Sequence, residues 1–180
     1  YYPYDVKVAV GGDLDTGLGG VFVADTGNNR IQRWSGQGDF NYQFGGFGTQ
    51  LGKLNTPISV AVDFNSRVYV VEKDNYRVQL FDIRCNSLGQ VAIGEYNYKS
   101  LRNPAGIDVD NLGNLYVADA GNDRILKLDS TGAFVGEVGS FGYGLGFFDA
   151  PQDVAVDQNR YLYVADTNNN RVLVYNWDAG

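Results

Sequence analysis

Residues 164–172 read "VADTNNNRV", and residues 23–31 read "VADTGNNRI". Weaker copies stand at residues 70–78, "VVEKDNYRV", and at residues 117–125, "VADAGNDRI". The acids of the four copies are Asp25, Glu72, Asp119 and Asp166, each 47 residues after the last, and Arg30, Arg77, Arg124 and Arg171 keep the same interval. A chain that repeats itself at this period is built from small supersecondary units, each too thin to bury both of its faces alone.

A proline and an alternating segment precede each copy: "PYDVKVAV" from Pro3, "PISVAVD" from Pro57, "PAGIDVD" from Pro104 and "PQDVAVD" from Pro151. Proline and acid lie 15 residues apart in the last three repeats and 22 in the first, so repeat one carries an insertion within "GGDLDTGLGG", residues 11–20. Within one repeat, "DVAVD" (153–157), "YLYVAD" (161–166) and "RVLVY" (171–175) alternate as strands do and predict strands a, b and c. "FNYQFG" (40–45), "QVAIGE" (90–95) and "AFVGEVG" (133–139) are candidates for a fourth, outer strand d. The Gly and Asn residues between b and c suit a tight reversal with positive φ. No segment keeps a helical period, so the class is all-β.

With its proline, "VAVD", "LYVAD", "NNRI" and trailing "FG" with spaced glycines, the repeat resembles the NHL repeat of β-propellers. The resemblance covers essentially the whole chain. It implies a single propeller domain of four blades of up to four antiparallel strands, at about residues 1–54, 55–101, 102–148 and 149–180. The family usually closes six blades, and a fragment of such a domain is the alternative to a closed four-bladed ring. Equivalent chain ends favour closure, with Pro3, Pro57, Pro104 and Pro151 each opening an innermost strand. Only "NWDAG" follows the last strand c, so the fourth blade is expected to lack its outer strand and to show an unpaired edge.

Composition narrows the function. Fourteen basic and 21 acidic residues give a net charge of −7, which works against the RNA binding known for some NHL propellers. No apolar run reaches membrane-spanning length. The chain contains no methionine, and that fits a secreted, extracellular or cell-surface protein whose signal peptide has been removed. Histidine is absent, so the commonest general base and zinc ligand are missing. The NHL-like lyase that completes peptide amidation relies on histidine-bound metal, and that family role is not implied here. We expect no enzyme activity and no cofactor.

The remaining polar candidates read as structure. "DTGNNR", "DAGNDR" and "DTNNNR" alternate Asp and Asn as calcium loops do, yet each lacks a distal bidentate Glu and has Arg where a ligand would help. Asp25, Glu72, Asp119 and Asp166 are expected to pair with Arg30, Arg77, Arg124 and Arg171 or to cap backbone groups. Asp63, Asp110 and Asp157 should shape the a–b turn, where repeat one has Ala9. Phe22, Tyr69, Tyr116 and Tyr163 recur once per strand b and suit packing between blades rather than a ligand cage. "GGFGTQLG" (45–52) and "GSFGYGLG" (139–146) lack the lysine and hydroxyl of a phosphate loop and read as blade connectors. Cys85, in the longest c–d connection, is expected to be an incidental exposed thiol.

Two functional readings follow. The first is a structural protein that associates with itself, into a ring or filament, through the vacant edge of blade four or an exchanged terminal strand. Tyr1, Tyr2, Tyr4, Val172, Val174 and Tyr175 are the candidate assembly residues, with residues 1–10 donated on a hinge at 11–20. The second is a propeller module that binds a protein, a glycan or an ion.

Overall fold

A computed structural model describes residues 2–9, 20–91 and 100–177. Two compact units divide the chain, Tyr1–Val91 and Ala92–Gly180. Each unit contains two blades, and every blade is an antiparallel meander in chain order.

In the first unit, blade 1 comprises β1 (Asp5–Val8), β2 (Val21–Asp25), β3 (Arg30–Trp34) and β4 (Phe40–Gly45). Blade 2 comprises β5 (Pro57–Val62), β6 (Val68–Glu72), β7 (Arg77–Phe81) and β8 (Ser87–Gln90). In the second unit, blade 3 comprises β9 (Ile107–Val109), β10 (Leu115–Asp119), β11 (Arg124–Leu128) and β12 (Phe134–Val138). Blade 4 has three strands among the described residues, β13 (Pro151–Val156), β14 (Tyr161–Asp166) and β15 (Arg171–Asn176). The fold is the expected β-propeller type, with a fourth blade of three strands among the described residues.

Alternation decides packing. In the first unit, Phe22, Ala24 and Ile31 on one face of blade 1 form a core with Val60, Val62, Val68, Val70 and Phe81 on the facing side of blade 2. Phe44 and Phe81 add a tilted ring contact with centroids 4.8 Å apart. In the second unit, β13 lies along β9 and β10, and Trp177 meets the Tyr116 ring edge-on at 6.1 Å. Burial of these aliphatic and aromatic faces is the main stabilising term.

One turn joins neighbouring strands repeatedly. In the a–b turns, Asp63, Asp110 and Asp157 each accept main-chain N–H bonds from the residues two and four positions on. Asp129 does the same in a c–d turn, and the hydroxyl of Ser35 replaces the carboxylate in blade 1. The residue three positions on is left-handed in each case: Gly38, Ser66, Gly113, Gly132 and Arg160 have φ between 61° and 90°.

Three sequence expectations change. The outer strand of blade 2 runs over Ser87–Gln90, earlier than "QVAIGE", because the turn after Asp82 is as short as its counterparts. Pairing reaches Val91, whose N–H donates to the Val78 carbonyl at 2.9 Å, and residues 92–95 lie outside the described residues. Cys85 therefore sits in a five-residue connection equal to those after β3 and β11, at the left-handed turn position with φ 67°. Only Pro57 and Pro151 are the first residues of their strands, while Pro3 and Pro104 lie just before β1 and β9. After Pro104, the Ala105 N–H donates to the Ala118 carbonyl and the Ala118 N–H to the Gly106 carbonyl, both at 2.9 Å, and Gly106 passes so close to blade 4 that a Cβ there would stand 2.7 Å from the Asp153 Cα.

Equivalent positions of the repeat differ in exposure. Val6 and Val8 of blade 1 are 61% and 58% exposed, whereas Val60 and Val62 at the same positions of blade 2 are 1% and 9% exposed. Val172 of blade 4 is 65% exposed, and its counterparts Ile31, Val78 and Ile125 are fully buried.

Candidate functional site

The acid ending strand b and the arginine opening strand c form a clasp in every blade. Arg30 Nε donates to Asp25 Oδ2 at 2.6 Å, Arg77 Nε to Glu72 Oε1 at 2.5 Å, Arg124 Nε to Asp119 Oδ2 at 2.8 Å and Arg171 Nε to Asp166 Oδ2 at 2.7 Å. An asparagine three residues after each acid donates to the same carboxylate: Asn28, Asn75, Asn122 and Asn169, at 2.6 to 3.0 Å. Gln32 and Gln79 add a further bond in blades 1 and 2. Main-chain N–H groups of Asn55, Arg102 and Asp149, two residues before a proline, reach Glu72, Asp119 and Asp166 at 2.7 to 2.9 Å. The clasp thus ties the b–c turn to the entry of its own blade. The asparagines are visible in the sequence, three residues after every acid, but pattern alone did not show their common target.

Asp25 and Asp166 are held ionised by these donors. Burial raises the pKa of Asp25 and Asp166, yet hydrogen bonds outweigh it, from Arg30, Asn28 and Gln32 at Asp25 and from Asp149 N–H, Asn169 and Arg171 at Asp166. Both pKa values lie below the ordinary 3.8. Among the described residues, no three Asp, Glu or Cys side chains gather as a metal site.

The second arm of each arginine goes to one of two places. In blades 1 and 3 it reaches the outer strand, at Gln43 and Glu137. In blades 2 and 4 it reaches the preceding connector instead. Arg77 donates to the carbonyls of Thr49, Gln50 and Lys53 at 2.7 to 3.2 Å, and Arg171 to those of Tyr143, Gly144 and Phe147 at 2.6 to 3.0 Å. Asn75 and Asn169 pin the same connectors through Gly48 and Gly142. The glycine-rich connectors are accordingly fixed, and they display apolar side chains. Phe141, Tyr143, Leu145 and Phe147 are exposed in the second unit, as are Phe47 and Leu51 in the first.

The strand b aromatics have a second role that spacing did not disclose. Tyr69, Tyr116 and Tyr163 donate their hydroxyls to Asp63, Asp110 and Asp157 at 3.1 to 3.4 Å. Repeat one lacks both partners, with Phe22 facing a position held by Ala9, and the joint replacement was readable in the sequence. Phe22 and Arg33 lie 5.8 Å apart in cation–π geometry. Burial pushes the Tyr69 hydroxyl up from its ordinary pKa.

Cys85 is half-buried against the core of the first unit, which corrects the expectation of an exposed thiol. Burial pushes its pKa up to about 12. Tyr42, whose pKa burial also raises to about 12, joins Arg33 Nη1 at 2.7 Å to the Ile83 carbonyl at 2.6 Å beside it.

The candidate assembly residues separate in the structure. Tyr2, Tyr4, Val172 and Val174 are exposed, while Tyr175 is half-buried beside Trp177. The valines project from the face of blade 4 rather than along the edge of β15. β1 pairs with β2 in its own blade, Asp5 opposite Ala24 and Val8 opposite Val21, so strand donation requires that pairing to break. Tyr1 and the hinge residues 11–19 lie outside the described residues.

Blades of this construction define a β-propeller. The NHL repeat profile matches residues 101–128 and 148–175, so the chain carries NHL repeats on a propeller fold. No curated protein sequence matches the chain. Among solved structures, the chain is similar to the WD40 β-propeller domain of Doa1, with a TM-score of 0.70 and 12% identity over 98% of this chain and 52% of that one. It is similar to a streptogramin B lyase, with a TM-score of 0.66 and 14% identity over 95% and 53% of the two chains. A catalytically inactive virginiamycin B lyase from Staphylococcus aureus with quinupristin gives a TM-score of 0.64 and 15% identity over 96% and 55%. These likenesses establish the fold, and the chain spans about half the length of each of those structures. No helix of the described residues is long and apolar enough to cross a membrane.

Proposed function

We propose that this chain is a non-enzymatic, extracellular structural propeller that acts by apolar association, first of all with itself, and can extend into a filament. The observation that carries this reading is the exposure of apolar side chains on the strands, Val6 and Val8 in blade 1 and Val172 and Val174 in blade 4. Contiguous apolar surface on a soluble domain marks an association site. The acidic charge and aromatic-rich composition suit a rigid secreted protein. The absence of histidine, and clasp carboxylates committed to arginine and main-chain donors, support a non-enzymatic reading.

Sedimentation velocity across a wide concentration range tests the proposal. Species larger than one chain, growing with concentration, support it; a single monomeric boundary throughout overturns it. One observation favours a second reading, a binding module for a protein or glycan. The connector carrying Phe141, Tyr143, Leu145 and Phe147 is exposed yet fixed by Arg171 and Asn169, which lowers the entropy cost of binding.

A further inference from the structure

We propose that the connector between blades 3 and 4, residues 139–148 of the second unit, is a lipid-contacting loop whose tip enters the interfacial layer of an electrically neutral, zwitterionic membrane surface. The proposal is independent of the self-association reading, which rests on the strand valines.

The side chains of the connector point to an apolar medium. From Gly139 to Phe148 the sequence is Gly-Ser-Phe-Gly-Tyr-Gly-Leu-Gly-Phe-Phe, without a charged residue or a side-chain amide. A glycan or a charged peptide is recognised through placed polar groups, and Ser140 and Tyr143 are all the connector offers. Tyr143 is 72% exposed and Leu145 87% exposed. A leucine so exposed lines no pocket, so the loop projects into what it binds rather than receiving a ligand. Phe141 and Tyr143 meet edge-on with centroids 6.2 Å apart, and Phe147 lies against Gly142, where a Cβ would stand 3.1 Å from that of Phe147. The rings therefore form one patch, with a tyrosine hydroxyl of the kind that suits the headgroup level of a bilayer.

The main chain supplies the second argument. Lipid has no donors, so a carbonyl carried into it must be satisfied from within the protein. Arg171 donates to the carbonyls of Tyr143, Gly144 and Phe147 at 2.6 to 3.0 Å, and Asn169 Nδ2 donates to that of Gly142 at 2.9 Å. The Phe148 N–H reaches the Ser140 carbonyl and the Gly142 N–H the Phe148 carbonyl, both at 3.0 Å. Asp166 neutralises the arginine at the base of the loop, through Nε at 2.7 Å. Carbonyls already taken offer little to a protein strand and lose little on leaving water.

The first unit shows that the frame does not need these aromatic residues. Its connector is held by Arg77 and Asn75 in the same way, yet Thr49 and Lys53 stand where the second unit has Tyr143 and Phe147. The larger apolar side chains serve what lies outside the loop. With a net charge of −7 the protein is repelled by anionic lipid, which leaves a zwitterionic surface as the partner.

Flotation with phosphatidylcholine vesicles tests the assignment. The parent is expected to rise with the vesicles equally at low and high salt, and less with vesicles that contain phosphatidylserine. Leu145→Ser should weaken partitioning by about tenfold or more, the effect of withholding one leucine side chain from an apolar phase. Tyr143→Thr with Phe147→Lys writes the first connector into the second, preserves its frame and should abolish flotation. Tyr143→Trp should still bind, with indole emission that shifts to the blue and is quenched by brominated acyl chains. A parent that stays in the aqueous fraction overturns the proposal, and if the same variants then lose self-association in sedimentation velocity, the connector is a protein contact. Variants that float like the parent also overturn it, because lipid then meets another surface. Binding that requires phosphatidylserine overturns the choice of a neutral surface.

Discussion

Replacing Arg124 with alanine should destabilise the protein far more than the same change at Arg30, although the two residues occupy the same position of the repeat. The Arg124 side chain is 2% exposed and bonds both Asp119, which is fully buried, and Glu137. Arg30 is 31% exposed, over an Asp25 that water also reaches. Among the described residues, Arg124→Ala leaves Asp119 in the interior with Asn122 Nδ2 at 2.8 Å and the Arg102 N–H at 2.7 Å. Breaking a buried pair by removing one partner costs about 3–5 kcal/mol, and the two surviving donors place this case near the lower end. For a domain of this size the melting temperature should fall by roughly 6–16 °C. An exposed pair contributes about 1 kcal/mol or less, so Arg30→Ala should lower it by no more than about 4 °C. Thermal melts followed by circular dichroism, with urea titrations of the same variants, measure both. Arg124→Lys should fall between parent and alanine, since an ammonium cannot span two carboxylates as a guanidinium fork does. Equal shifts for Arg124→Ala and Arg30→Ala would refute the argument that burial sets the strength of the clasp.

Acid should loosen the structure through Asp25 and Asp166. Their folded pKa values lie below the unfolded value, so their contribution is complete above about pH 4 and is lost as the pH falls through the folded pKa; a melting temperature unchanged from pH 6 to pH 2 contradicts this. Tyr76 is left-handed, with φ 52°, at the turn position where blades 1 and 4 have asparagine. Its side chain is exposed, so Tyr76→Asn should stabilise by about 0.5–1 kcal/mol in urea denaturation, and a loss of stability would show that the ring has a packing role. Cys85, with its pKa raised from 9.0 to about 12, should hold about a thousandfold less thiolate at neutral pH than an ordinary thiol and resist aromatic disulfide reagents until the protein unfolds. Labelling of the native protein as fast as that of the unfolded chain would show the thiol to be open to solvent.

The period, the strands and the turn chemistry were legible in the sequence because their causes are local. An acid and an arginine five residues apart across one reversal must meet, whatever the rest of the chain does, and the Asp25–Arg30 clasp recurs wherever that spacing recurs. Strand b of blade 4 was bounded at Tyr161–Asp166 by alternation alone. The outer strand of blade 2 was misplaced because Cys85 fills a left-handed turn position where blades 1 and 3 have glycine, and a cysteine does not announce a turn. The hydroxyl bond from Tyr116 to Asp110 joins strand b to the turn before it, so it follows from pairing register, which the repeat suggests but does not state.

Coverage of the faces could not be read at all. Val6 and Val60 stand at one position of one repeat, as do Val172 and Ile31, yet one of each pair is buried and the other is exposed. A side chain's alternation says which face of its sheet it occupies. Whether that face meets another blade or water depends on residues dozens of positions away, and only the tertiary structure brings those together or leaves them apart.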